Sequence, residues 1–127
     1  MTPVPISSDN APAAVGAYSQ AVRTGDLVFC SGQVGLNPES GELVSGGIQE
    51  ETHQCLKNLA AVLEAAGLGL ADVVKATVYL ADIGDFAAMN EVYATYFELD
   101  PPARAAFAVK DLPLGARVEI EAVATDL

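Results

Sequence analysis

The chain has 127 residues, 51% of them apolar and only 18% charged, which excludes a disordered polypeptide and points to one domain with a real core. Six Lys and Arg against 17 Asp and Glu leave a net charge of −11. Phosphate neutralisation needs cations, so the charge argues against nucleic acid as a partner. No run of about 18 apolar residues offers a membrane span, and Thr2-Pro3-Val4-Pro5 breaks any leader-like stretch. With only Cys30 and Cys55, the reading is a cytoplasmic protein with free core thiols rather than a disulfide.

In chain order, Pro3, Pro5 and Pro12 mark an irregular lead-in of about 16 residues. Tyr18 to Arg23 reads as a short strand, Thr24-Gly25-Asp26 as a turn, and Leu27 to Ser31 as a buried strand ending at Ser31-Gly32. A second turn follows at Asn37 to Gly41, with a further short strand expected near Glu42 to Val44. From Gly47 to Ala66 the residues Ile48, Cys55, Leu56, Leu59, Leu63 and Ala66 recur at helical spacing, and Gly67 stops the helix. Val73 to Leu80 is a strand by its β-branched content. Asp85 is the expected cap of a second helix carrying Phe86, Met89, Tyr93, Tyr96 and Phe97, which Asp100-Pro101-Pro102 ends. Ala103 to Val109 and Arg117 to Thr125 are the last two strands. In the second of these, Val118, Ile120, Ala122 and Ala124 share one face and Glu119, Glu121 and Val123 the other. The order predicts an α+β fold: one mixed β-sheet with two helices packed on one face, in a single domain over residues 1–127.

Few residues are suited to chemistry. His53 is the only histidine and falls with Gln49 and Lys57, away from the apolar stripe, so it reads as an exposed surface residue. One histidine and two separated cysteines make no zinc pattern, so no metal is expected. Gly67-Leu68-Gly69 follows a helix instead of opening one, and is a turn rather than a phosphate loop. What remains is polar residues set in apolar strands. Arg104, flanked by small residues, needs an anionic partner. That partner is either a substrate carboxylate or the side chain of Glu119 or Glu121. The two glutamates are in turn either a solvated face or the seat of a general base. Ser31 and Gly32 let a small ligand approach the backbone. Asn90 marks a polar spot on the second helix, and Tyr18 is an edge aromatic.

Several of these segments resemble one family in order and spacing. Gly16-Ala17-Tyr18-Ser19-Gln20-Ala21 is similar to the G-P-Y-S-Q-A lead-in of the RidA/YjgF family. Phe29-Cys30-Ser31-Gly32-Gln33-Val34 resembles its x-x-S-G-Q strand. Pro101-Pro102-Ala103-Arg104, with Val118-Glu119-Ile120-Glu121-Ala122 later, resembles its P-x-A-R…V-E-I-E-A ending. The resemblance implies a chorismate-mutase-like domain, a homotrimer whose sheets enclose a central barrel, and ligand sites in the clefts between subunits. It implies hydrolysis of 2-imino acids such as 2-iminobutanoate and 2-iminopropanoate to 2-oxo acids and ammonia, with no cofactor. Carried over by position, Arg104 binds the substrate carboxylate and Glu119 positions the attacking water. Tyr18, Ser31, Gly32 and Asn90 shape the pocket, with the backbone of Ala106 beside it. Ala17 stands where the family commonly has proline, and Ala106 where many members have cysteine. Two rivals remain: a ribonuclease acting on single-stranded RNA, and a non-catalytic metabolite-binding trimer.

Overall fold

The structure is a computed structural model that describes residues 2–127. Its strands are β1 (Val4–Ile6), β2 (Ala21–Thr24), β3 (Leu27–Val34), β4 (Val73–Leu80), β5 (Ala103–Ala108) and β6 (Val118–Thr125). The helices are α1 (Ile48–Ala65) and α2 (Phe86–Tyr96). The strands form one six-stranded sheet in the order β1-β2-β3-β6-β4-β5. Only the β4–β5 pair is parallel, so the sheet is mixed.

Topology explains why both helices share a face. Strands β3 and β4 both run antiparallel to β6, and β4 runs parallel to β5, so α1 and α2 are each crossovers between parallel strands. Both crossovers step the same way across the sheet. Crossovers of one handedness that step in one direction land on one side. There Cys55, Leu56, Leu59, Val62 and Leu63 of α1 meet Val28, Val78, Leu80, Val118 and Ile120 of the sheet, together with Met89 of α2, all fully buried. Ile48 and Ala66, at the ends of the α1 stripe, are partly buried against the same core.

Local chemistry sets the element ends. Helix α1 stops in a paired motif: Gly67 N–H donates to Glu64 O and Leu68 N–H to Leu63 O, both at 2.9 Å. That geometry needs a left-handed residue, and Gly67 supplies it at φ 78°. At α2 the expectation for Asp85 is corrected: its side chain makes no cap hydrogen bond. Asp82 accepts from Gly84 N–H instead, capping the single helical turn that leads into α2. The expected strand near Glu42 to Val44 is reduced to one bridge between Leu36 and Leu43.

Two further corrections concern the sheet. Part of the lead-in is ordered as edge strand β1, where Pro5 lies opposite Val22. An edge strand tolerates proline because one side needs no N–H donor. The lead-in is also pinned by the buried Gln20 side chain. Its Oε1 accepts from Ser8 N–H at 2.6 Å, and its Nε2 donates to Pro12 O at 2.7 Å. Strand β3, moreover, does not end at Ser31-Gly32: it runs on to Val34, with a register shift between Cys30 and Gln33. This bulge sits where the candidate site residues lie, and bulges re-aim side chains.

Candidate functional site

Strand pairing decides which face each site residue takes. Ala76 of β4 lies opposite Arg104 of β5 and Ala122 of β6, and Ala76 and Ala122 are buried under the helices. Val78 lies opposite Ala106 and Ile120 in the same way. The intervening row, Phe107, Tyr79 and Glu119, points to the opposite, open side, as do Thr77 and Glu121. Side chains alternate along a strand, so within one chain Arg104 and Glu119 face away from each other. The ion pair of Arg104 with Glu119 or Glu121, one of the two readings of the sequence, is therefore absent among the described residues.

On the helix side, Arg104 sits at the edge of the sheet over α2. One guanidinium nitrogen donates to Asn90 Oδ1 at 2.6 Å. The guanidinium carbon lies 4.7 Å from the centre of the Tyr93 ring and 5.3 Å from that of Phe86. Such stacking holds a cation without neutralising it. Asn90 and Phe86 are separated by four residues, one helical turn, which brings both to the same side of α2. Arg104 is thus an exposed, positioned guanidinium with donors left for a planar anion. Ala106 is two residues further along the same face, packed against the core.

On the open side, Glu119 is half-buried on β6, opposite both Val34 and Tyr79. Its carboxylate lies against Gly32 so closely that a Cβ at that position would overlap it. A side chain at 32 would push the Glu119 carboxylate out of this position. Burial raises the Glu119 carboxyl above its ordinary 4.5, and the neighbouring Glu121 charge adds to the rise. Ser31 Oγ donates to Ser19 O at 2.6 Å, and Ser31 N–H donates to Gln20 O at 3.0 Å. These bonds tie the bulge of β3 to the segment carrying Tyr18, whose ring is exposed.

The expected residues therefore fall into two groups: Arg104, Asn90 and Ala106 on one face, Gly32 and Glu119 on the other, with Ser31 and Tyr18 at the bulge. Neither the cleft of about 480 Å³ between the lead-in and Tyr18–Gln20 nor that of about 250 Å³ beside Pro102 contains Arg104 or Glu119. Among the described residues no three metal-binding side chains cluster.

The structure also corrects the exposed reading of His53. Its Nδ1 lies 2.9 Å from the Tyr96 hydroxyl, and the rings meet edge-on between α1 and α2. Both cysteines are buried; burial pushes the Cys30 thiol to about 11 and the Cys55 thiol well above its ordinary value. Sequence reasoning missed Glu51, a buried carboxylate on α1. Glu51 Oε1 accepts from Arg117 N–H at 2.9 Å, and Oε2 lies 3.4 Å from Arg117 Nε. It anchors the start of β6 two residues before Glu119.

Fold and site together describe a small α+β protein with an exposed arginine, free of carboxylate partners among the described residues, on one face of a sheet and a perturbed carboxylate on the other. Among the described residues no helix is long and apolar enough to cross a membrane. The sequence profile of the Endoribonuclease L-PSP family matches residues 8–126, and the chain belongs to that family, the RidA/YjgF family. The chain is 56% identical over 119 residues to the 2-iminobutanoate/2-iminopropanoate deaminase of Rattus norvegicus, covering 94% of this chain and 87% of that one. The crystal structure of RidA from the Antarctic bacterium Psychrobacter sp. PAMC 21119 superposes with a TM-score of 0.92 at 48% identity, over 95% of this chain and 98% of that one. That of E. coli TdcF with bound serine superposes at 0.93 with 38% identity, over 98% and 99%.

Proposed function

We propose that the chain is a hydrolytic deaminase of small 2-imino acids, such as 2-iminobutanoate and 2-iminopropanoate, converting them to 2-oxo acids and ammonia. The observation that carries this reading is the state of Arg104: a guanidinium held by Asn90 and two aromatic rings, with no carboxylate partner among the described residues. A 2-imino acid offers one full negative charge, and a guanidinium fork matches a carboxylate with two parallel hydrogen bonds. The deaminase of Rattus norvegicus at 56% identity supports the substrate class, and the serine bound to E. coli TdcF is a small carboxylate of similar size.

The working unit in this proposal is a homotrimer of single-domain chains, residues 1–127, whose open sheet faces line a central barrel. Phe29 and Phe107 are each 46% exposed on that face, large apolar surfaces that a partner subunit would cover. Trimerisation also brings Arg104 of one subunit towards Glu119, Gly32, Ser31 and Tyr18 of another. In that shared cleft the Arg104 fork takes the substrate carboxylate, Asn90 steadies Arg104, and the Ala106 backbone borders the pocket. Water positioned by Glu119 adds to the carbon of the protonated imine, while Glu119 accepts a proton from it. The carbinolamine takes that proton from Glu119 on nitrogen, its C–N bond breaks to release ammonia, and the hydroxyl passes its proton to Glu119 as the C=O forms, which accounts for the proton the imine carried in. Imine plus water thus becomes 2-oxo acid plus ammonia. The imine is already electrophilic, so holding the reactants together does much of the work. Such an enzyme belongs in the cytoplasm, where pyridoxal-phosphate enzymes release these imines, and buried free thiols suit that compartment.

The family's description carries the word endoribonuclease. Six basic residues against 17 acidic ones supply little for phosphates to bind. The test is an imine generated in the cuvette by an amino-acid oxidase, with its decay timed by trapping the unreacted imine. Faster decay with the protein, lost in Arg104→Ala, is expected. Unchanged decay overturns the proposal, and cleavage of single-stranded RNA by nuclease-free protein would replace it.

A further inference from the structure

The open face carries a second carboxylate that the reaction above does not use. Glu121 follows Glu119 by two residues on β6, so both side chains leave the same face of the strand. Glu121 Oε1 accepts a hydrogen bond from the Tyr79 hydroxyl. Tyr79 is itself the cross-strand partner of Glu119, while Glu121 lies opposite Thr77. The Tyr79 side chain therefore leans diagonally from the Glu119 row to the Glu121 row. It is braced by Phe107, whose ring meets it edge-on at 5.4 Å and 87°. The hydrogen bond to Glu121 is the main cause that pushes the titration of the Tyr79 hydroxyl up to about 12.

We infer that Glu121, fixed by the Tyr79 phenol, is a positioning residue that acts electrostatically on Glu119. The inference rests on the imine-hydrolase reading and deepens it. A general base works best when its proton affinity approaches that needed at the working pH. A fixed like charge two residues away makes Glu119 hold a proton more tightly. Few other charges on the described residues compete. On the open face β4 offers Lys75, opposite Val123, and Tyr79, whose proton is committed to Glu121. From β3 come Phe29, Ser31 and Gly32, and from β5 Ala105 and Phe107, none of them charged. Behind the sheet, α1 presents the buried Cys55 thiol and Glu51, the latter paired with Arg117.

The experiment is the pH profile of kcat/KM for imine hydrolysis by the intact assembly of wild type, Glu121→Gln, Glu121→Thr and Glu121→Asp. Glutamine keeps an acceptor for Tyr79 and removes only the charge; threonine, a good strand residue, is a second neutral variant should glutamine fold poorly. Both neutral variants are expected to move the acid limb to lower pH by roughly half to one unit, and to lower the plateau rate. KM, set by Arg104, should stay near wild type. Glu121→Asp, with its charge retained, should keep the limb near its original place. A merely structural role would not move the limb in a charge-dependent way. An unmoved limb in a folded neutral variant, with Glu119→Gln inactive, overturns the role of Glu121 alone. Wild-type turnover in Glu119→Gln overturns the Glu119 assignment, and this inference with it.

Discussion

The two faces of the sheet are built from the same strands but do different things. Under the helices, Val28, Val78, Leu80, Val118 and Ile120 are fully buried, and α1 closes over them. On the other side the alternating positions hold Phe29, Tyr79, Phe107, Glu119 and Glu121, all partly exposed in a single chain. The first face is complete within one chain; the second mixes apolar surface with a perturbed carboxylate. Stability should therefore reside on one face, and assembly and chemistry should depend on the other. Arg104 is the exception that links them: it points to the helix side, but at the sheet edge, where it stays exposed.

The largest effect is expected at Arg104. Removing a charged hydrogen-bond partner costs about 2–5 kcal/mol, or roughly 30- to 5,000-fold. Arg104→Ala should lose that much in kcat/KM while its melting temperature stays close to wild type, because no carboxylate among the described residues pairs with it. Lysine keeps charge without the fork, so Arg104→Lys should also be impaired. A large fall in melting temperature with normal turnover would put Arg104 on the structural side instead.

Next in size is the closed face. Ile120→Ala empties a fully buried site, which typically costs about 2–5 kcal/mol. Phe107→Ala, on the open face, should leave the fold of each chain nearly intact and weaken association. Sedimentation at falling protein concentration should show the Phe107 variant dissociating where the wild type stays assembled. Equal destabilisation of the two variants in denaturant, with no change in assembly, would erase the distinction between the faces.

A smaller effect concerns Glu119. Its carboxyl titrates higher in the folded chain than unfolded, so the folded state binds the extra proton. Stability from this group is present at low pH and falls as pH rises from the ordinary carboxylate value through the raised one. Glu119→Gln should accordingly melt slightly higher than wild type at pH 7, with the gap closing in acid. Smallest of all, a Cys30→Ala, Cys55→Ala double variant should retain imine hydrolysis. Both thiols are buried and held protonated at neutral pH. Loss of turnover in a folded double variant would contradict that.

Much of the closed face was legible in the sequence. Helical spacing from Ile48 to Ala66 and strict alternation in Val118 to Thr125 both follow from burying one side of a regular element. The open face was harder, because its residues obey the same alternation without revealing what covers them. Strand β1 was missed since Pro5 argues against strands except at an edge, and sequence does not show edges. Extension of β3 past Ser31-Gly32 depends on a bulge, and the position of His53 on its packing against Tyr96, both tertiary facts. The relation of Arg104 to Glu119 was open for the same reason: each strand shows its own alternation, but only the pairing through Ala76 and Tyr79 sets one strand's face against another's. Glu51 had a faint signal, a carboxylate one turn before the apolar Cys55 on the same helix face, with no cation beside it.

The central claim is that one catalytic cleft draws Arg104 and Glu119 from different subunits. Mixing denatured Arg104→Ala and Glu119→Gln chains in equal amounts and refolding them together tests it directly. Each parent assembly should be nearly inactive. In mixed trimers, a cleft that takes Arg104 from a Glu119→Gln chain and Glu119 from an Arg104→Ala chain is intact, and random assembly makes about a quarter of the clefts so. The account predicts recovery of roughly a quarter of wild-type imine hydrolysis on that statistical count. Activity no higher than the mean of the two parents, in trimers shown to be mixed, would contradict it.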